Sequence, residues 1–465
     1  MGFYGILINI YISTASSQKR QAGFANTNIQ MMQNCTTGDV AFASPWPTYF
    51  VFKLAPLVRP DLGKMLSAKS ALFATDDIYK RPLTPVIAKY MIEGTLDIIR
   101  VKELILNNWI KAKYENGSPR FGELTHHVSH WMGFAFWTPE KKFNIGEHVK
   151  IKGSESGFTT ETQLTVYMNE LSTKPYEKYK SPWELIIVPN IVRERFADRT
   201  PRSAVIINFH HCLTDGFGLL TLMSKISSSV VGSGAESKSP EKKVLARQQK
   251  ISLGGICKGV YFLLRAPYDF ISYIFVKVDP TKSNSWHLPE AELEKEWTIS
   301  PATEHISSDL VKEIKNCYGV SFNAVILAAF TGSIRNVMLC HPTKKVPDFI
   351  RVGHPFPVSP HPGKLRNVWT STVMKLPVGE ECPRKRLMYV EERLGKMKKS
   401  PLHSAIFAIM AVVGGLFPFL IRPLLKTKNC GAIVSNLPGP KNSEYLLEKK
   451  LVYMEFFLGL GPGNI

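Results

Sequence analysis

Hydrophobic and polar positions along the chain form two blocks in which strand-like and helix-like patterns are mixed. The first block extends from about residue 78 to residue 230, and its apolar, β-branched runs at Trp183–Val188 and Ala204–Phe209 predict buried strands. The second block begins near residue 296. Its helix-like stretch and its strand-like runs are Ser321–Met338, Val368–Leu376 and Ala432–Ser435.

These two blocks predict an α+β fold of two two-layer domains. With 465 residues, the chain is longer than one ordinary hydrophobic core supports. Gly, Ser and Lys are frequent in Val230–Lys250, which indicates a linker. The predicted divisions are an N-terminal extension at 1–76, an N-terminal domain at 77–230, a crossing linker with an amphipathic segment at 231–295 and a C-terminal domain at 296–465.

The most unusual local pattern is "VIINFHHCLTDGFGLL", Val205–Leu220, where an apolar strand runs directly into a helix-like stretch. Asp215 stands where a helix N-cap belongs, and Gly216 gives the backbone room for a sharp turn. His210 and His211 therefore lie in the turn itself. Because successive residues point in different directions, we expect only one of these imidazoles to face a cavity.

A histidine pair at a strand end can also have a purely local role, because buried polar groups usually just satisfy their hydrogen bonds. The complete HHxxxDG pattern is harder to explain in this way. On average residue usage it arises by chance in roughly one chain per thousand of this length. The pattern therefore favours a catalytic site.

Charge and cysteine content narrow the class of function. The formal net charge of +20 favours anionic partners such as nucleic acid, phosphate-bearing cofactors or an anionic membrane face. Nucleic acid is disfavoured, because the basic residues are scattered and no nucleic-acid-binding motif accompanies them. The 7 cysteines form no CxxC pair, which indicates a reduced, cytosol-facing compartment. The sequence contains no P-loop, Rossmann glycine pattern or GxSxG elbow.

Three apolar segments bear on membrane contact. The run Phe3–Ile12 is too short to span a bilayer, and Ile251–Val278 is amphipathic. Ser404–Ile421 carries no charge, but Pro418 and a Gly pair interrupt it, so a buried helix or a membrane-dipping segment is favoured over a span. We expect a protein associated with the endoplasmic reticulum or plasma membrane on its cytosolic side, and the extension at 1–76 is a candidate membrane-associated region.

"HHCLTDG" resembles the HHxxxDG motif of CoA-dependent acyltransferases with the chloramphenicol-acetyltransferase-like fold. "GAIVSNLPGP" (Gly431–Pro440) and "RNVWTSTVMKLP" (Arg366–Pro377) resemble segments of the wax ester synthase/acyl-CoA:diacylglycerol acyltransferase family within that fold. Further landmarks follow in the family's order from residue 118 to residue 440. They are "SPRF" (Ser118–Phe121), "FNIGEHV" (Phe143–Val149), "SPWELIIV" (Ser181–Val188) and "GVSFNAVILAA" (Gly319–Ala329).

The resemblance implies two chloramphenicol-acetyltransferase-like domains with an active-site tunnel at their interface. It also implies an O-acyltransferase that moves a long-chain acyl group from acyl-CoA to a lipid alcohol, giving triacylglycerol from diacylglycerol or a wax ester from a fatty alcohol. Acyl-CoA is then a co-substrate, with no permanently bound cofactor and no metal. The expected partners are acyl-CoA, the alcohol and a membrane surface, and not nucleic acid.

By the same resemblance His211 is the general base, and neutral imidazole suits proton removal from an alcohol at physiological pH. His210 and Asp215 are expected to hold the turn, and Gly216 to permit it. The substrate-binding candidates are Asn367, Ser371, Ser435 and Asn436.

The sequence departs from the family pattern at several points. Ala324 stands where the family commonly has Asp, the Leu of the P-L-W element is missing, and Pro357–Pro360 lacks the arginine often found after PVS. The resemblance also implies strands beyond Gly459–Ile465, so we expect either that the gene model is truncated or that the protein is a shortened relative. The alternatives are a catalytically impaired lipid-binding relative and a CoA-dependent acyltransferase for a small polar acceptor.

Overall fold

The computed structural model describes residues 6–9, 46–153, 160–192, 201–229, 264–265, 268, 286, 298–301, 306–357, 361–400, 402–413, 432–437, 439 and 443–459. Helices α1 to α10 are Trp46–Val58, Ala68–Phe73, Ile98–Ile105, Ile145–His148, Glu161–Thr173, Gly216–Met223, Ser308–Tyr318, Phe322–Leu339, Pro383–Lys399 and Leu402–Val413. Strands β1 to β13 are Ile6–Asn9, Pro85–Glu93, His126–Trp131, Phe134–Pro139, Val149–Ile151, Trp183–Ile191, Arg202–His210, Ser227–Ser229, Ile350–Pro357, Trp369–Leu376, Ala432–Ser435, Glu444–Leu446 and Lys449–Leu458.

The α+β class is confirmed, and each strand or helix predicted above from a hydrophobic run is present. The runs around residues 183, 204, 368 and 432 form β6, β7, β10 and β11, and the helix-like stretch from residue 321 forms α8. The helical spacing after Gly216 forms α6.

A seven-stranded sheet in the order β5-β6-β7-β2-β13-β12-β8 forms the first structural unit. β7 is buried along nearly its whole length because its β-branched side chains pack on both faces. Val205 and Phe209 face a core that also contains Trp109 after α3, whereas Ile206 faces α5 through Met168. Each such buried side chain contributes about 1.5–3 kcal/mol of transfer free energy.

A four-stranded sheet in the order β1-β11-β9-β10 forms the second unit. β9 lies at its centre, antiparallel to β10 and parallel to β11. Helices α8 and α9 cover one face, with Val352 and Met374 from the sheet packed against Phe330 of α8 and Val390 of α9. The start of β10 lies at the boundary with the first unit, because the backbone N–H of Val368, directly before it, donates to the side chain of Asp215.

Strand pairing crosses the predicted domain divisions in both directions. β13, near the C-terminal end, pairs antiparallel with β2 of the first unit, and β12 joins the same sheet through β13 and β8. β1, from the predicted N-terminal extension, pairs parallel with β11 of the second unit. The division at residues 76, 230 and 295 stays a prediction, but neither sheet is built from one continuous segment.

The apolar segments fall partly within the described residues. α8 is the one described helix long and apolar enough to cross a bilayer, and half of that stretch is buried inside the protein, as in an ordinary core helix. α10 covers the first part of Ser404–Ile421, and its Ala405, Ile406 and Phe407 are buried. The rest of that segment and nearly all of Ile251–Val278 lie outside the described residues.

Candidate active site

The strand-to-helix turn has the predicted geometry. β7 ends at His210, and Asp215 is the N-cap of α6, where its Oδ1 accepts a 2.9 Å hydrogen bond from the backbone N–H of Gly218. The backbone N–H of His211 donates to the carbonyl of Thr84 at 3.0 Å, which ties the turn to the residue before β2. The turn therefore holds two adjacent imidazoles on a rigid backbone.

His210 points into the first unit. It is fully buried, and its Nε2 donates to Oδ2 of Asp76 at 3.0 Å. Its Nδ1 accepts from the backbone N–H of Cys212 at 3.3 Å, and the edge of the Tyr176 ring packs against it. Both ring nitrogens are thus used in holding the turn.

His211 points the other way, towards the second unit. Its ring stacks on Phe73 of α2, with ring centroids 4.0 Å apart and planes 12° apart, and Trp369 of β10 lies 6.2 Å away. Its Nδ1 is buried, and no described residue forms a hydrogen bond with it. Burial lowers the pKa of His211 to about 4, against the opposing attraction of Asp215. The imidazole is therefore neutral at physiological pH and can accept a proton.

Asn367 connects the second unit to the backbone of His211. Its side-chain amide donates to the His211 carbonyl at 2.7 Å and to Oγ of Ser70 at 3.3 Å. Ser371 lies four residues further along β10 and is half-buried, and within the described part of the chain no hydrogen bond joins it to this cluster. Of these two substrate-binding candidates, the structure brings only Asn367 to the turn.

Asp215 also joins the two units. Its Oδ2 accepts a 2.7 Å hydrogen bond from the backbone N–H of Val368, and Nε2 of His361 lies 3.3 Å from its Oδ1. Burial favours the neutral acid, but His361 and the backbone N–H groups of Val368 and Gly218 outweigh it and lower the pKa of Asp215. The carboxylate is charged and faces the protein on every side described.

Two glycines make room at the start of α6. A Cβ on Gly216 would lie 2.6 Å from Cδ1 of Leu437, and one on Gly218 would lie 1.8 Å from Oγ1 of Thr214. Gly216 therefore allows Leu437, from the Gly431–Pro440 motif, to approach the turn. The packing against Thr214 also requires glycine at position 218, which the sequence pattern did not predict.

Ser435 and Asn436, the remaining two substrate-binding candidates, have partners outside the turn. Ser435 is the half-buried last residue of β11 and pairs with Asn9 of β1. The side-chain amide of Asn436 donates to Oδ1 of Asn323 in the first turn of α8 at 3.0 Å. Their roles in substrate binding stay predictions.

Helix α2 contributes a buried lysine beside the site. The Nζ of Lys69 donates to the carbonyl of Trp369 at 3.4 Å and lies over the ring of Phe407 from α10. Burial lowers the pKa of Lys69 to about 6, although the charge of Asp215 opposes this. A nearly neutral amine therefore lies one helical turn from Phe73.

Several residues of this site carry no signal in the sequence. Asp76 is the last residue of the predicted extension, and Phe73, Ser70 and Lys69 also lie inside that extension, where no motif marks them. No three-residue cluster of His, Cys, Asp or Glu with metal-binding geometry exists among the described residues.

The sequence of this chain is similar to those of known acyltransferases. The model of the wax ester synthase/diacylglycerol acyltransferase catalytic domain matches residues 110–295, and that of the WS/DGAT C-terminal domain matches residues 366–464. A probable diacylglycerol O-acyltransferase of Mycobacterium tuberculosis is 22% identical over 352 residues, which cover 72% of this chain and 73% of the relative. The O-acyltransferase WSD of Acinetobacter baylyi is 22% identical, with 68% of this chain and 71% of the relative covered.

Solved structures show the same fold. The wax ester synthase/diacylglycerol acyltransferase from Marinobacter aquaeolei VT8 superposes with a TM-score of 0.51 at 15% identity, covering 85% of this chain and 87% of that one. The first condensation domain of the calcium-dependent antibiotic synthetase superposes with a TM-score of 0.52 at 10% identity, covering 86% of each chain. These likenesses confirm the predicted two-domain, chloramphenicol-acetyltransferase-like class of fold.

Proposed function

This chain belongs to the wax ester synthase/diacylglycerol acyltransferase family, and we propose that it transfers a long-chain acyl group from acyl-CoA to the hydroxyl of a lipid alcohol. It is an acyl-CoA-dependent O-acyltransferase. The proposed acceptors are diacylglycerol, which would give triacylglycerol, and a long-chain fatty alcohol, which would give a wax ester.

The observation that supports this reaction is the state of His211. Its imidazole is neutral, turned away from the first unit's core and pinned through its own backbone by Thr84 and Asn367. A base fixed in this way has little freedom to lose when the alcohol arrives, and such a base typically supplies about 10²–10⁴-fold in rate.

In the proposed reaction His211 takes the proton of the alcohol as its oxygen attacks the thioester carbon. A C–O bond forms, and the carbonyl electrons move to oxygen to give a tetrahedral intermediate. When the intermediate collapses, the C–S bond breaks and the imidazolium returns its proton to the sulfur of CoA. The reaction needs no acyl-enzyme, and the neighbouring Cys212 is poorly suited to form one because burial raises the pKa of its thiol.

The side chains around the imidazole suit an apolar substrate. Phe73 and Trp369 border the ring, and Phe407 of α10 packs beside the same helix α2. Each methylene that an acyl chain buries contributes about 0.8 kcal/mol, so an apolar path here would favour long chains.

We further propose that the protein works at a membrane surface, on the cytosolic side of the endoplasmic reticulum or plasma membrane. The +20 net charge supports this, because each Lys or Arg near an anionic surface is worth about 1 kcal/mol. Lipid alcohols are also concentrated at such a surface.

The deciding experiment measures transfer from labelled palmitoyl-CoA to hexadecanol, to a diacylglycerol and to a small polar alcohol, with purified full-length protein in mixed micelles. Transfer to either lipid alcohol, lost in His211→Ala, supports the proposal. Transfer only to the polar alcohol would show a different acceptor class. Lipid binding without any turnover would show a lipid-binding protein.

A further inference from the structure

The carboxylate of Asp215 accepts hydrogen bonds from two backbone N–H groups and lies against one imidazole, and these partners come from two parts of the chain. The backbone N–H of Gly218 belongs to its own helix, whereas the N–H of Val368 and the imidazole of His361 belong to the second unit. The side chains of Asp215 and His361 are only 6% and 11% exposed. Their contact is therefore shielded from solvent, where an ion–dipole contact is stronger than in water.

The hydrogen bonds of His361 determine which ring nitrogen carries its proton. The backbone N–H of Gly363 donates to Nδ1 at 3.2 Å, so Nδ1 is the acceptor. The proton of the neutral ring is then on Nε2, the atom that lies 3.3 Å from Oδ1 of Asp215. The ring also stacks on Phe217, the second residue of α6, which restricts its rotation.

The two carboxylate oxygens of Asp215 have different partners. Oδ2 accepts a hydrogen bond from the backbone N–H of Val368, the residue directly before β10. Oδ1 accepts one from the backbone N–H of Gly218 and lies 3.3 Å from Nε2 of His361. The residue before Val368 is Asn367, whose amide holds the carbonyl of His211. The orientation of this one carboxylate therefore sets the position of Asn367 relative to the catalytic turn.

We propose that His361 is a positioning residue of the acyl transfer: its Nε2, 3.3 Å from Oδ1, holds the orientation of Asp215 by a shielded electrostatic contact and thereby locks Val368 and Asn367 onto the His211 turn. The catalytic part of this inference rests on the proposed function. His361 does not touch the reacting atoms, and its effect reaches them through Asp215. The ring needs no positive charge for this task, because its neutral form already carries the proton on the correct nitrogen.

The main variant is His361→Phe, which keeps a ring against Phe217 and removes the polar nitrogen beside Asp215. We expect kcat to fall about 10-fold to 100-fold, while the KM for acyl-CoA changes less than about 3-fold, because misalignment of a catalytic turn affects the transition state more than substrate binding. His361→Gln offers an amide donor to the same carboxylate and is expected to recover most of the lost kcat. His341→Phe changes a histidine that packs on Trp286 at the far end of α8, and is expected to have wild-type kinetics.

Thermal unfolding tests the contact without any activity measurement. In a double-mutant cycle with Asp215→Asn, the loss of Tm in the double variant is expected to be clearly smaller than the sum of the two single losses. Additive losses together with wild-type kcat in His361→Phe would overturn the proposal. If the wild-type protein transfers no acyl group to any alcohol, the proposed function fails, but the cycle still decides whether His361 holds Asp215.

If His361→Phe does not fold, His361→Gln and His361→Glu decide the question. Glutamine can donate to Asp215, whereas a glutamate carboxylate repels it. Equal kcat values and equal Tm values for these two variants would overturn the proposal.

Discussion

The side-chain amide of Asn367 lies 2.7 Å from the backbone carbonyl of His211, across a sequence separation of 156 residues. The two residues belong to different units, so the catalytic turn is completed by the start of β10. A change at this boundary can therefore affect the base without touching its imidazole.

The first prediction separates the two histidines. His211→Ala is expected to lower kcat by about 10²–10⁴-fold with little change in Tm, because no residue in the described part of the chain hydrogen-bonds to Nδ1 of the ring. His210→Ala leaves the carboxylate of Asp76 without its imidazole donor and is expected to cost about 1–3 kcal/mol of stability. Steady-state kinetics and thermal unfolding of both variants measure this, and equal kcat losses would contradict it.

The second prediction concerns pH. The pKa of His211 is about 4 in the folded protein, below its ordinary value near 6.5. Catalysis needs the neutral ring, so protonation of His211 is expected to leave kcat/KM unaffected from pH 7 down to about pH 5. An acid limb with an apparent pKa near 6.5 that persists when each of the other histidines is replaced would contradict this assignment.

The same pKa shift has a consequence for stability. Between pH 6.5 and about 4 the unfolded chain binds a proton at His211 that the folded chain does not, so stability falls as pH falls, by up to about 1.4 kcal/mol per pH unit. His211→Asn is expected to reduce this slope. Urea unfolding at several pH values measures it, and identical slopes would show that His211 is not buried in neutral form.

A third prediction concerns the amide that joins the units. Asn367→Ala removes the donor to the His211 carbonyl and is expected to lower kcat about 10-fold, with a stability loss of about 1 kcal/mol. Ser371→Ala is the matched control on the same strand, because Ser371 has no hydrogen bond to this cluster in the described residues. A larger effect from Ser371→Ala would reverse the assignment of these two candidates.

Lys69 supplies a fourth prediction. Its pKa is about 6 when folded and near 10.5 when unfolded, so between these values the unfolded chain binds the extra proton and stability rises with pH. Lys69→Met is expected to raise stability at pH 7 and to flatten the dependence between pH 6 and 10. The exposed Lys111→Met is the control, and an equal effect there would exclude a buried amine as the cause.

The fifth prediction compares two helical glycines. Gly218→Ala places a Cβ against Oγ1 of Thr214 and is expected to cost about 1–3 kcal/mol or more, with loss of activity. Gly395→Ala in α9 meets no atom within 4 Å and is expected to stabilise the protein by about 0.5–1 kcal/mol. The sign of the Tm change in the two variants tests the packing at the turn.

The local part of the site was predictable because its cause is local. The apolar strand, the N-cap at Asp215 and the opposite directions of His210 and His211 follow from a few neighbouring residues, and the structure contains each of them. The α+β class follows in the same way from strand-like and helix-like runs.

The contacts that complete the site were not predictable from local patterns. Asp76 reaches His210 across 134 residues, and Asn367 and His361 come from the other unit. Asn436 stands in a recognisable motif, yet its amide binds Asn323, because the start of α8 lies beside the end of β11. Long-range packing determines these pairs, and periodicity carries no information about it.

The pairing of β2 with β13 also determines when the protein can fold on the ribosome. Lys89 lies opposite Glu455, so β2 leaves the ribosome long before its partner strand has been translated. At about 5–20 residues per second, the partner follows roughly 20 to 70 seconds later. During that interval one edge of β2, an almost entirely buried strand in the finished protein, has no strand beside it. We expect the nascent chain to depend on chaperones until translation of β13 lets this part of the sheet close.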